Sequence, residues 1–122
     1  MDSEVAGQKM EQRLMSLPME TRDPFSTLEQ RLQATIELCR YDKSPRLLLE
    51  WAIAQTGVED PLSVYNRQEL ETIFMRWARE RDTHLAKLLR ELRRSNPAAA
   101  DRVRGDLPDP VRQSLKKVHV RG

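Results

Sequence analysis

Five of the seven prolines in this chain follow a residue that caps helices well: Asp23-Pro24, Ser44-Pro45, Asp60-Pro61, Asn96-Pro97 and Asp109-Pro110. A small polar side chain accepts a hydrogen bond from an orphan backbone N–H of the first helical turn. Proline suits the next position because its missing N–H has no partner in that turn. Each pair therefore marks a helix start, and together they divide the chain into short helices. No stretch sustains the apolar-polar alternation of a strand, so the expected fold class is all-α. The expected architecture is a compact antiparallel bundle of about six short helices.

The apolar periodicity supports that division. Leu28, Leu32, Ile36 and Cys39 share a face after Asp23-Pro24 and the capping box Ser26-x-x-Glu29. The segment from Pro45 to Gln55 is apolar nearly all round, as a central helix would be, and Gly57 is placed to terminate it in the left-handed conformation. Asp60-Pro61 opens one or two turns through Tyr65. Asn66-x-x-Glu69 is a second capping box, before the stripe Leu70, Ile73, Phe74, Trp77 and Ala78. Asp82 or Thr83 then reads as the cap of a separate helix with Leu85, Leu88, Leu89 and Leu92 on its face. Ala98 to Arg104 forms another, closed by Gly105. After the stiff turn Leu107-Pro108-Asp109-Pro110 comes a basic final helix carrying Val111, Leu115 and Val118. Residues 1–22, with scattered methionines and Pro18, hold no firm period and read as a flexible N-terminal arm. Residues 23–119 read as the helical bundle domain.

A chain of 122 residues suffices for one core without covalent staples. Cys39, the one cysteine, has no partner for an internal disulfide, which suits a reducing compartment. No apolar run approaches the ~20 residues that span a bilayer, and the opening Met1-Asp-Ser-Glu-Val lacks the basic and apolar regions of a secretory signal. The expected location is the cytoplasm, with the nucleus as the alternative. Net charge is +2 but unevenly placed: residues 1–60 carry 7 basic and 11 acidic side chains, residues 61–122 carry 14 and 8. Such asymmetry suits an acidic partner, a nucleic acid, or mutual attraction between copies.

The residues of familiar catalytic sites are missing. His84 and His119 stand far apart, with no cysteine or carboxylate at zinc-ligand spacing. The four glycines form no phosphate-cradling loop, and Glu69 and Glu71 lie two apart on a helix, where they do not converge. No enzyme activity, metal or cofactor is expected. His84 reads as a solvated polar residue, whereas Trp51, Trp77 and Cys39 read as core.

The stretch Leu70 to Leu92, with Trp77, Thr83, Leu85, Leu88 and Leu89, followed by Ala99-Ala-Asp-Arg-Val103 and Leu107, resembles the C-terminal half of a death domain. There an apolar helix ends in a tryptophan with basic neighbours, a threonine caps a helix with a Leu-x-x-Leu pattern, and a short helix follows. Trp51 departs from the family by lying mid-helix, and the helix from Val111 has no required counterpart. The resemblance implies a non-enzymatic adaptor that associates homotypically through charged surfaces.

Those surfaces are expected at an acidic corner, Glu59 and Asp60, and at the basic residues Arg76, Arg79, Arg81, Arg93 and Arg94. The partner is then a protein, either a second copy or a heterologous helical domain, with no role for a membrane. A second reading is nucleic-acid binding by the basic C-terminal third, through Arg102, Arg104, Arg112, Lys116 and Lys117. A third is a subunit of a larger helical complex.

Overall fold

The computed structural model describes residues 10–118. Six α-helices occur among them: α1 (described over residues 10–15), α2 (Leu28–Leu38), α3 (Pro45–Thr56), α4 (Arg67–Ser95), α5 (Pro97–Asp106) and α6 (Asp109–Lys117). Short 3₁₀ turns lie at Met19–Thr21 and Pro61–Ser63. No strand occurs among the described residues, so the chain is all-α.

The caps follow the expected logic at some ends only. Pro45 and Pro97 do open helices, but of their preceding residues only Asn96 accepts a capping bond, from the Ala99 N–H at 3.1 Å. Asp60-Pro61 starts a 3₁₀ turn, and α6 begins at Asp109 itself. Asp23 holds a tight turn instead, its carboxylate accepting the Phe25 N–H at 2.9 Å. The start of α2 is therefore corrected to Thr27. Thr27 and Gln30 form a reciprocal capping box, Gln30 N–H donating to Thr27 Oγ1 at 3.1 Å and Thr27 N–H to Gln30 Oε1 at 2.9 Å. The box at Asn66 and Glu69 is as expected.

The largest correction concerns α4. A break at Asp82 or Thr83 is absent, and one helix of 29 residues runs through both positions. Asp82 spends its carboxylate on Arg81 rather than on a backbone N–H. Gly105 is likewise inside α5 rather than beyond it; among the described residues the glycine in the left-handed region is Gly57, at φ +73°, which ends α3.

The chain divides into two compact units. The first takes residues up to Ser16 and Tyr41–Ala78, and the second takes Leu17–Arg40 and Arg79 onward. The core of the first is aromatic. Trp51 meets Phe74 edge-on with ring centres 5.1 Å apart and lies 5.4 Å from Trp77, while Tyr41 meets Trp77 edge-on at 6.3 Å. Leu14 of α1, Leu48 and Leu70 are fully buried with them. The expected arm thus has two parts. Residues 1–9 lie outside the described residues, whereas α1 is docked. Gln55 Nε2 donates to the Ser16 carbonyl at 2.8 Å and approaches those of Arg13 and Leu14 at 3.3 and 3.4 Å. The last carbonyls of a helix are short of intrahelical donors; of these three, that of Arg13 also accepts the Ser16 N–H at 3.3 Å.

The core of the second unit is aliphatic. Leu32 and Cys39 meet Leu85, Leu88, Leu89 and Leu92 of α4, Ala100 of α5, Leu107, and Val111 and Leu115 of α6. Fully burying a leucine contributes about 1.5–3 kcal/mol, so this convergence holds α4, α5 and α6 around one apolar centre. The turn before α2 is tied to the same unit: His84 Nε2 donates to the carbonyl of buried Thr21 at 2.6 Å.

Candidate functional site

On the C-terminal half of α4, helical spacing places Ala86, Leu89, Arg90 and Arg93 on one stripe. The fold brings Ala100 and Arg104 of α5 against that stripe, with Leu115 of α6 and Val118 beside them. The result is a groove of about 300 Å³. Its floor is aliphatic and its polar lining is three guanidinium groups, those of Arg90, Arg93 and Arg104. Arg93 already pairs with Asp101, Nη2 to Oδ1 at 2.6 Å, across exposed side chains. Arg104 also lines a second groove with Asp101, Gly105, Arg112, Gln113 and Lys116. The two depressions share one arginine and together form a basic face on α4, α5 and α6.

The residues expected to bind a protein are spread over several places. Glu59 and Asp60 are exposed just before the Pro61–Ser63 turn. Arg76 is exposed but paired with Glu11 of α1 at 2.8 Å. Arg79 and Arg94 are exposed. Arg81 requires correction, because it is buried: its Nε donates to Asp82 Oδ1 at 3.0 Å and its Nη1 to the Leu38 carbonyl at 3.1 Å. It stabilises the C-terminus of α2 and offers no surface charge. Of the residues expected to bind nucleic acid, Arg104, Arg112 and Lys116 meet at the second groove, whereas Arg102 and Lys117 are exposed outside either lining. Arg112 is paired with Asp109. Arg90 is the member missed from the sequence; its spacing of three to Arg93 and four to Ala86 is the signal that carried it.

The first unit offers a different environment. Glu11, Tyr65, Asn66, Glu69, Ile73 and Arg76 are among the residues that line a depression. Burial pushes the Tyr65 hydroxyl above its ordinary pKa, and the carboxylates of Glu11 and Glu69 push it further. An aromatic ring among carboxylates is poorly placed to stack a base beside its phosphate. Among the described residues no cluster of three histidine, cysteine, aspartate or glutamate side chains can hold a metal, and no helix is long and apolar enough to cross a membrane. Comparison with protein-family models, curated proteins and solved structures finds no match.

Proposed function

We propose that this chain is a non-enzymatic protein-interaction module, and that the groove on α4, α5 and α6 receives an acidic, apolar-anchored segment of a protein partner. The observation that carries this reading is an aliphatic floor bordered by three arginines. An aliphatic floor gains from burying a leucine-type side chain, and the guanidinium groups gain from carboxylates, which they bind in planar, two-pronged fashion. A ligand that satisfies only one half leaves the other half poorly used. The homotypic association implied by the death-domain resemblance is one form of the same reading.

The test is titration with a fluorescein-labelled peptide that carries two acidic residues and a spaced pair of leucines. Saturable binding that weakens with salt and disappears in Arg104→Glu supports the proposal. Equal binding of a peptide with its leucines replaced by alanine refutes the apolar half, and no binding at low salt refutes the whole.

Nucleic acid is the second reading, favoured by the convergence of Arg104, Arg112 and Lys116. Against it, Arg112 is partly neutralised by Asp109, and an aliphatic floor gains nothing from a phosphate backbone. Steep, salt-dependent binding of a duplex or single strand that competes with the peptide would favour it instead.

A further inference from the structure

The two units carry opposite charge. The first holds 6 basic and 9 acidic side chains, and the second holds 15 basic and 10 acidic. The first also displays one segment with the chemistry the groove calls for. At Val58–Val64 the exposed carboxylates of Glu59 and Asp60 stand beside two exposed aliphatic side chains, Leu62 at 47 % and Val64 at 48 %. The segment is held in shape rather than loose. Pro61 is buried, the Ser63 N–H and hydroxyl donate to the Asp60 carbonyl at 3.0 and 2.6 Å, and the Val64 N–H donates to the Pro61 carbonyl. The Asp60 side chain makes no capping bond, so its carboxylate is available to a partner.

We infer that the occupant of the α4–α6 groove is the 58–64 segment of a second copy of this chain, with Leu62 on the aliphatic floor and Glu59 and Asp60 against Arg93 and Arg104. This rests on the groove reading above and names its partner. An ordered turn costs less to immobilise than a free peptide, because its backbone is already fixed. Segment and groove are different patches, so the contact is heterologous, and it grows into open chains unless the rotation closes a ring.

The experiment is a charge-swap complementation followed by sedimentation, from about 0.05 to about 0.5 M salt, a range in which the Debye length shortens severalfold. Wild-type protein is expected to self-associate in a concentration-dependent way at low salt and to dissociate as salt rises. Glu59→Lys/Asp60→Lys and Arg93→Glu/Arg104→Glu each alter exposed or groove-lining side chains, and circular dichroism checks that both keep their helix content. Each alone should weaken association by about tenfold or more. Mixed in equal amounts they should assemble again with the two variants alternating, because the unaltered segment of one meets the unaltered groove of the other and the two reversed patches are once more opposite in charge. Leu62→Ala should weaken association with little change in its salt dependence. If wild-type protein stays monomeric while the labelled acidic peptide still binds, the second-copy inference fails and the groove reading stands. If the peptide fails as well, both fall. If either double variant assembles like wild type, the pairing of segment and groove is wrong.

Discussion

Arg81 and Asp82, adjacent in sequence near the middle of α4, form a buried ion pair: Nε and Oδ1 lie 3.0 Å apart, with the side chains 5 % and 7 % exposed. The same guanidinium donates to the Leu38 carbonyl at the end of α2, one of the carbonyls that a helix leaves without an internal donor. The pair therefore ties α4 to α2 as well as satisfying itself.

Replacing Arg81 with methionine keeps much of its volume but leaves Asp82 buried without its cation. Removing one partner of such a pair typically costs about 3–5 kcal/mol, because the remaining charge is uncompensated. The double variant Arg81→Met/Asp82→Leu should cost less than Arg81→Met alone. Urea unfolding of both proteins measures the difference; equal losses would show that the Leu38 contact, not the ion pair, dominates.

The continuity of α4 has a sharp test in Thr83→Pro. If Asp82 capped a helix, position 83 would be its first residue, where proline is welcome. Inside a helix, proline removes a backbone hydrogen bond and clashes with the preceding turn, at about 3 kcal/mol or more. The expected outcome is a loss of that size with a lower melting temperature. A neutral substitution would mean that the helix breaks there.

This helix shows where the sequence was legible and where it was not. The stripes Leu70 to Trp77 and Leu85 to Leu92 were both apparent, and both are buried. They are one stripe, because position 81 continues the spacing from Trp77 to Leu85. Its occupant is an arginine, so the period looked interrupted, and Asp82 looked like the cap of a new helix. A charged residue in a core position is satisfied only by partners distant in sequence, here Leu38, and no local pattern reveals them. The groove failed to appear for a related reason. The basic side chains of the C-terminal third were visible one by one, but which of them share an aliphatic floor depends on α4, α5 and α6 converging. Gly57 was legible because the end of an apolar helix and a glycine are adjacent in sequence.

The two described helix-associated glycines should respond oppositely to alanine. Gly57 sits at φ +73°, where a Cβ is strained even though nothing lies within 4 Å of the added atom. Gly57→Ala is expected to destabilise by about 1 kcal/mol for that backbone reason alone. Gly105 lies within α5, also with open space around an added Cβ. Gly105→Ala should stabilise by about 0.5–1 kcal/mol, since alanine restricts the unfolded chain and favours helix. Thermal melts of the two variants check the opposite signs.

Cys39 lies in the core of the second unit, and burial pushes its thiol up to about 11 from an ordinary 9.0, against the lowering pull of the Arg81 guanidinium. Below about pH 9 the thiol is protonated in the folded and unfolded chain alike, so its contribution to stability is fully present. As pH rises further, the unfolded chain releases the proton while the folded chain holds it, and stability is lost until about pH 11. At about 1.4 kcal/mol per unit, the loss approaches about 2–3 kcal/mol. Lysines and tyrosines titrate in the same range, so the measurement is a comparison: urea unfolding of wild type and Cys39→Ala at successive pH values. The alanine protein is expected to start less stable, from the lost packing, and to decline less steeply between pH 9 and 11. Parallel declines would show that the thiol ionises as easily in the fold as in water.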